Sequence, residues 1–234
     1  MPSEAAESLR FNTIEESIAA FKNGEFIVVL DSQDRENEGD LIIAADSITA
    51  AKMAFMIRYS SGFICAAILP DMADRLALPQ MVVNNADPHR TAYTLSVDSN
   101  DPSVTTGISA QDRALACRTF AMPDVQADHF RKPGHVLPLR AKPGGVRQRR
   151  GHTEATVDFC RLAGKVQAGV LSELIEDGVE VEGVPERHEN GMMRRDGCLK
   201  FGKRWGLKVC TIEDLVAYIE RTEGPLPHVN GKAT

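Results

Sequence analysis

The chain has 234 residues, a mass of 25.6 kDa and a formal net charge of -6. Its hydrophobic content of 43% is enough to fill a core, so we expect a folded protein. An acidic protein is poorly suited to wrapping nucleic acid, because the phosphate backbone requires a basic surface. We expect one domain over residues 1–234, with flexible tails at residues 1–12 and 224–234.

The cysteines and the N-terminus indicate the compartment. The five cysteines are odd in number and form no CxxC pair, which fits reduced thiols better than a disulfide framework. Residues 1–10 are polar and acidic, unlike a signal peptide. The longest purely apolar run, residues 63–69, is far shorter than the roughly 18 residues that span a bilayer. These features predict a cytoplasmic protein with no membrane partner.

The periodicity of apolar residues predicts helices and strands that alternate along the chain. Thr13 and Glu16 form a capping box at the start of a helix over residues 13–22. The elements that follow are strands 26–30 and 41–45, helix 49–57, strands 63–69 and 92–97, helix 109–120 capped by Ser109, an extended stretch 135–140, helix 153–163, a helical or extended segment 170–175, strand 208–211 and helix 212–221. Residues 180–197, rich in charge and glycine, are predicted to form an exposed loop with little influence on the chemistry. The class is α/β or α+β.

Residues 31–40 concentrate negative charge between two predicted strands. The acidic side chains are Asp31, Asp34, Glu36, Glu38 and Asp40, and Arg35 is the only cation. Such crowding persists if the loop is a solvated turn, or if a metal or a cationic partner screens it. An EF-hand is excluded, because its twelfth position is Ala45 instead of glutamate. If residues 36–40 are extended, alternate carboxylates face one side and suit a hard cation such as magnesium.

A basic, glycine-containing loop precedes the helix over residues 153–163. Gly144 and Gly145 are followed by Arg147, Arg149 and Arg150. The unpaired N–H groups and the positive dipole at a helix N-terminus, with arginines beside them, form an anion receptor for which phosphate is the natural guest. The alternative is an ordinary surface loop. A nucleic-acid patch over residues 131–150 is less suitable, because the stretch has no aromatic side chain to stack on bases.

Three further segments carry candidate functional residues. Residues 105–109 place hydroxyl groups and a glycine before a helix, which fits either a second anion site or an ordinary cap. Among the six histidines, His152 lies beside the arginines and His135 lies in a turn before an apolar strand. Glu173 follows apolar residues and is either a partly buried carboxylate with a raised pKa or a surface residue.

Four segments together resemble the 3,4-dihydroxy-2-butanone 4-phosphate synthase family. They are DRENEGD at residues 34–40, TGISAQDR at 106–113, PGHV at 133–136 and GHTEAT at 151–156. They occur in the family's order, and the match runs from about residue 13 to residue 221. The resemblance implies a three-layer fold with a mixed, twisted β-sheet flanked by helices. It also implies a homodimer that converts ribulose 5-phosphate to the four-carbon phosphate plus formate, a step of riboflavin biosynthesis. Magnesium is the implied cofactor, at up to two ions per site, and manganese is the implied substitute.

The resemblance also assigns roles to residues of this chain. Glu36 and His152 are similar to the family's metal ligands, and His135, Glu173, Glu38 and Asp40 to its catalytic groups. The implied substrate-binding residues are Asp31, Arg35, Glu36, Asp40, Thr106, Ser109, Arg149, Arg150, Gly151, His152 and Thr153. Arg150 stands where the family pattern has a glycine, so either Arg149 or Arg150 contacts the phosphate.

Some implications of the resemblance concern Cys65, the subunits and a fused domain. Cys65 falls where the family has a cysteine near the site, although packing in the strand over residues 63–69 is an equal explanation. We expect His135 to enter the partner subunit's site. The fused cyclohydrolase domain of some relatives, with its zinc-binding cysteines, is not expected here, so the form should be monofunctional. The rival hypothesis is a nucleotide- or RNA-binding module of similar three-layer fold.

Overall fold

The computed structural model describes residues 10–226 of the chain. The strands are β1 (Ile27–Leu30), β2 (Gly39–Ala44), β3 (Cys65–Ile68), β4 (Val97–Ser99), β5 (Phe130–Arg140), β6 (Ala168–Glu173), β7 (Ile175–Glu176), β8 (Val179–Glu180), β9 (Arg187–His188), β10 (Gly191–Met192) and β11 (Lys208–Thr211). The helices are α1 (Ile14–Lys22), α2 (Ala50–Tyr59), α3 (Pro70–Arg75), α4 (Ala110–Thr119), α5 (His152–Leu162), α6 (Arg195–Trp205) and α7 (Ile212–Glu223).

A seven-stranded mixed sheet forms the middle of the fold. Its strand order is β11-β1-β2-β6-β3-β5-β4. β1 pairs with β11 and β3 with β5 in parallel, whereas β1 with β2, β2 with β6, β3 with β6 and β4 with β5 are antiparallel. β7 pairs with β10, and β8 with β9, in two short ribbons outside this sheet.

Helices cover both faces of the sheet, because alternate side chains of its strands point to opposite sides. In β1, Val28 and Leu30 pack into one cluster with side chains of α2, α4 and α6. Ile27 and Val29 pack into the other cluster with side chains of α1, α5 and α7. β1 and β2 are buried along their whole length, as strands covered on both faces must be. The predicted three-layer mixed fold is confirmed.

Most elements lie where the apolar periodicity placed them. The capping box of Thr13 and Glu16 forms as predicted, and Ser109 accepts a hydrogen bond from the Asp112 amide at the start of α4. The segment left open at residues 170–175 is extended and not helical, since β6 runs to Glu173 and β7 begins at Ile175. The prediction of a strand at residues 92–97 was largely wrong: only isolated bridges form there, and β4 begins at Val97.

Residues 180–197 were predicted to be one exposed loop, and this was wrong in part. β8, β9 and β10 fall in or next to this segment, and α6 begins at Arg195 inside it. Of the predicted tails, residues 1–9 and 227–234 lie outside the described residues. Asn12 is held by β11, since its amide donates to the Val209 carbonyl at 2.7 Å. Within residues 10–226, no helix is long and apolar enough to cross a membrane.

Candidate active site

A cavity with about 430 Å³ of empty space, part of it open to solvent, lies where β2 begins, β6 ends and α5 begins. Asp40 and Glu173 are direct neighbours across β2 and β6, so antiparallel pairing places two carboxylates at the cavity wall. The lining residues are Arg35, Glu36, Glu38, Asp40, Cys65, Thr91, Tyr93, Leu139, Arg149, His152, Thr153, Leu171 and Glu173. The structure therefore brings together most of the residues that the sequence singled out.

The acidic loop, residues 31–38, is organised around the buried carboxylate of Asp31. This carboxylate accepts hydrogen bonds from the Glu38 amide at 2.8 Å, the Glu36 amide at 3.0 Å and the Arg35 guanidinium at 2.9 Å. Asn37 has φ +54°, so residues 36–40 do not form the continuous extended segment that would have placed alternate carboxylates on one face. The carboxylates of Glu36, Glu38 and Asp40 nevertheless converge on the cavity, because the loop turns instead of alternating.

His152, the first residue of α5, lies against the acidic loop. Its Nδ1 is 3.6 Å from Glu36 Oε2 and 3.6 Å from Asp40 Oδ1, too far for strong hydrogen bonds. His152 Nε2 and Asp40 Oδ1 are buried and have no hydrogen-bond partner among the described residues. Buried polar atoms rarely stay unsatisfied, so these two atoms indicate that the site receives another group.

The donor set suits a metal ion. Ligand atoms of Asp31, Glu36 and His152 all lie within 4.8 Å of one another. The Asp31 oxygens already accept three hydrogen bonds from the loop, whereas Glu36 and His152 face the cavity. Carboxylate oxygens together with an imidazole nitrogen are suitable ligands for a divalent cation.

The surroundings in the cavity shift the pKa values of its titratable residues in opposite directions. Burial, reinforced by neighbouring carboxylates and opposed by His152, raises the pKa of Asp40 to about 7. Burial alone would raise the pKa of Glu36, but the facing His152 ring and the charge of Arg35 lower it to about 2. Burial opposes the charged form of His152, yet Asp40 and Glu36 raise its pKa to about 9. Burial and then the charge of Glu36 raise the pKa of Glu38.

Arg149 and Arg150 have different surroundings. Arg149 lines the cavity and donates to Glu154 at 2.6 Å, to the His89 carbonyl at 3.2 and 3.1 Å and to Thr91 Oγ1 at 3.2 Å. Arg150 is exposed and does not line the cavity. Gly151, between Arg149 and α5, has no room for a side chain, because its Cβ would lie 2.2 Å from Arg149 Nη1.

His135, Thr106 and Ser109 do not line this cavity. The His135 Nδ1 atom pairs with Asp98 Oδ2 at 3.0 Å, and its side chain is 39% exposed. Gly107 approaches this pair so closely that a Cβ there would lie 2.6 Å from His135 Nδ1. His135 and Asp98 thus form a second polar cluster within one chain, with Gly107 packed against it. Thr106, which directly precedes Gly107, and Ser109 are exposed.

Sequence reasoning missed several site residues. Tyr93 lies in the stretch that we predicted to be a regular strand and Thr91 directly precedes it, and a hydroxyl group there carries no signal of its own. Glu154 is almost completely buried, and no charge pattern in the sequence distinguished it from a surface residue. Cys65 does line the cavity. Burial raises the pKa of its thiol, so the thiol stays protonated at neutral pH.

Comparison with known proteins agrees with this site. The family model described as 3,4-dihydroxy-2-butanone 4-phosphate synthase matches residues 15–218. The synthase of Pyricularia oryzae is 61% identical over 97% of each chain. That of Candida albicans is 50% identical over 90% of this chain and 98% of the relative.

The solved structures give the same result. A crystal structure of 3,4-dihydroxy-2-butanone 4-phosphate synthase in complex with two magnesium ions aligns with a TM-score of 0.91 and 63% identity. The alignment covers 92% of this chain and all of that one. A layered α/β fold with a cavity lined by carboxylates, a histidine and an arginine is that of an enzyme acting on a small molecule. More specifically, the chain belongs to the 3,4-dihydroxy-2-butanone 4-phosphate synthase family, whose members are carbon–carbon lyases. The comparisons give no support to the rival nucleic-acid-binding hypothesis.

Proposed function

We propose that this chain converts ribulose 5-phosphate to 3,4-dihydroxy-2-butanone 4-phosphate and formate, a step of riboflavin biosynthesis. Beside the family match over residues 15–218, the observation that carries the proposal is that His152 Nε2 and Asp40 Oδ1 are buried without a hydrogen-bond partner at the cavity. The four-carbon phosphate and formate together contain all the atoms of the substrate. The reaction therefore needs proton transfer and carbon migration but no external oxidant.

Glu36 and His152 are the proposed metal ligands, with Asp31 behind them. Mg²⁺ is the proposed ion, at up to two per site, since the related crystal structure is a complex with two magnesium ions, and Mn²⁺ is a proposed substitute. A divalent cation bound there polarises the sugar oxygens and stabilises negative charge that develops beside them. Asp31 contributes by holding the amides of Glu36 and Glu38, which fixes the direction of the Glu36 side chain.

The start of α5 is the proposed phosphate site. The N–H groups of His152 and Thr153, in the first turn of α5, favour an anion, and Arg149 supplies positive charge beside them. Ion pairing to Glu154 fixes the direction of the Arg149 guanidinium before substrate binds. Arg35 and the hydroxyl groups of Thr106 and Ser109 are proposed to contact the rest of the substrate.

Enolisation and loss of water require groups that hold and release protons near neutral pH. Asp40 meets this requirement, because its buried carboxyl group has a pKa of about 7. Glu173 faces Asp40 across the strand pair and accepts a hydrogen bond from Ser61 Oγ at 3.0 Å. We assign proton transfer to Asp40, Glu38 and Glu173, with His135 as the remaining acid or base.

His135 can serve this site if it enters from a second chain. Within one chain it lies in the Asp98 cluster, away from the cavity lining, and its side chain is partly exposed. We therefore propose a homodimer in which His135, Thr106 and Ser109 complete the partner subunit's site. All five cysteines are free thiols, which supports the proposal that the protein works in the cytoplasm.

Formate release from ribulose 5-phosphate tests the proposed function. We expect formate to appear with Mg²⁺, to stop when a chelator is added, and to resume when Mg²⁺ is restored in excess. Glu36→Gln is the matched inactive control, since the amide keeps the shape of the side chain but is a weaker ligand. Absence of formate from the folded, Mg²⁺-loaded protein would refute the proposal. Tight RNA binding that weakens steeply with salt would favour the rival module instead.

A further inference from the structure

A residue far along the sequence holds the outer side of the acidic loop. Arg194 Nη1 donates to the Glu36 carbonyl at 2.8 Å and to the Asn37 carbonyl at 2.5 Å, across more than 150 residues of sequence. Arg194 belongs to the segment that we predicted to have little influence on the chemistry. Its contacts are with the backbone that carries a proposed metal ligand.

The acidic loop has a conformation that needs support from both sides. Asn37 has a positive φ of 54°, a left-handed conformation that asparagine adopts more readily than most residues with a side chain, and hydrogen bonds hold the loop on both sides of it. Asp31 holds the amides of Glu36 and Glu38 on the inner side. Arg194 holds the carbonyls on the outer side. The peptide units next to Glu36 are thus fixed by one anion and one cation.

The backbone around Arg194 is itself held in place by hydrogen bonds and packing. The Arg194 carbonyl accepts the Cys198 amide at 2.9 Å in the first turn of α6. The Met193 amide donates to the Leu174 carbonyl at 3.0 Å, immediately after β6. Cys198 Sγ occupies the space that a Cβ at Gly39 would need, at 2.5 Å. The start of α6 therefore packs against both strands that carry Asp40 and Glu173.

We propose that Arg194 is a positioning residue that holds the acidic loop in the conformation in which Glu36 faces His152. This inference rests on the proposed metal site at Glu36 and His152. Without Arg194, the loop samples conformations in which Glu36 turns away from His152. Metal affinity falls because only the ordered fraction of molecules binds well.

The test compares Arg194→Ala with Arg194→Lys and with the control Arg195→Ala. Arg195 carries the same charge one position away and lies near Asn37, but it pairs with Asp196 and the Phe11 ring and makes no hydrogen bond to the acidic loop among the described residues. Mg²⁺ binding to the substrate-free protein is measured by titration calorimetry. A charge-assisted hydrogen bond contributes about a factor of ten to an equilibrium constant. We therefore expect Arg194→Ala to weaken Mg²⁺ binding about tenfold. Arg194→Lys should recover most of the affinity, because its ammonium also donates to carbonyls.

Amide hydrogen exchange provides a second readout that does not depend on metal. The amides of Glu36 and Glu38 should exchange faster in metal-free Arg194→Ala than in the wild type or Arg195→Ala, whereas the amides of β1 should be unchanged. If the loop amides exchange at the wild-type rate in Arg194→Ala, the proposed positioning role of Arg194 is overturned. If Glu36→Gln weakens Mg²⁺ binding and Arg194→Ala does not, the positioning role is also overturned while the metal site stands. If Glu36→Gln binds Mg²⁺ like the wild type, the proposed metal site fails, and this positioning role fails with it.

Discussion

The clearest quantitative prediction concerns the two adjacent arginines before α5. A guanidinium group has five N–H donors. In Arg149, four hydrogen bonds go to Glu154, to Thr91 and twice to the His89 carbonyl, which leaves one N–H on Nη1 for substrate. One charge-assisted hydrogen bond to a phosphate is worth about 1.5–3 kcal/mol. Arg149→Ala should therefore raise KM for ribulose 5-phosphate about 10- to 150-fold. Arg150 is exposed, so Arg150→Ala should change KM by less than about fivefold.

The same substitution also affects stability, and a second variant separates the two effects. Glu154 is about 1% exposed, so loss of Arg149 leaves a buried carboxylate without its cation, a change that costs about 3–5 kcal/mol in other buried pairs. The Lys142 amide still donates to Glu154 at 2.8 Å, which places the cost toward the lower end. Adding Glu154→Gln to Arg149→Ala removes the unpaired charge. The double variant should regain stability but keep the raised KM.

The assay is formate release at saturating Mg²⁺ over a range of substrate concentrations, with thermal unfolding measured in parallel. Two results would refute the reasoning. A larger KM effect from Arg150→Ala than from Arg149→Ala would move the phosphate contact to Arg150. A normal KM in the double variant would show that Arg149 acts through folding and not through phosphate binding.

Three further predictions follow from the cavity. Glu36→Gln should weaken Mg²⁺ binding at least tenfold in calorimetry while the protein stays folded, and equal affinity would remove Glu36 from the ligand set. Because the pKa of Glu36 is lowered from 4.5 to about 2, its stabilisation of the metal-free protein is present above pH 4.5 and lost as the pH falls toward 2. The gap in thermal midpoint between the wild type and Glu36→Gln in chelator should shrink over that interval, and a constant gap would contradict the shift. Mixing inactive Glu36→Ala and His135→Ala proteins should restore roughly a quarter of wild-type activity, because half the randomly exchanged dimers are hybrids and each hybrid has one intact site of two. If verified hybrids are inactive, each site is formed by one chain alone.

The elements that position the site could largely be predicted from sequence because their signals are local. The capping box at Thr13, the buried run of β1 and the helix start beside His152 each depend on neighbouring residues, and each forms as predicted, whereas the phosphate site at that helix start stays a prediction. Convergence of the carboxylates was predicted on the condition that residues 36–40 are extended, and the structure shows that they converge through a turn instead. A positive φ at Asn37 turns the loop, and no apolar periodicity reports such a turn.

The parts of the site that sequence reasoning missed depend on contacts between distant segments. Arg149 meets the backbone of His89 across 60 residues, and Arg194 meets the acidic loop across more than 150. Neither contact has a periodic or compositional signature, because a carbonyl acceptor is present at every residue. The same limit applies to Glu154, whose burial follows from the packing of α5 and not from its own neighbours in sequence.

The charges around the cavity give these distant contacts a common effect on the acidic loop. Five carboxylates lie close together near the start of β2 and the end of β6, those of Asp31, Glu36, Glu38, Asp40 and Glu173. Their mutual repulsion would push the acidic loop outward into solvent. Arg194 reduces that repulsion from the outer side, through its hydrogen bonds to the loop carbonyls, and Arg35 pairs with the Asp31 and Glu36 carboxylates. On the inner side, Arg35, Arg149 and the His152 ring line the cavity, and His152 Nε2 has no hydrogen-bond partner among the described residues. The remaining negative charge is therefore directed inward, where a divalent cation and the electron-poor carbons of a sugar phosphate would meet it.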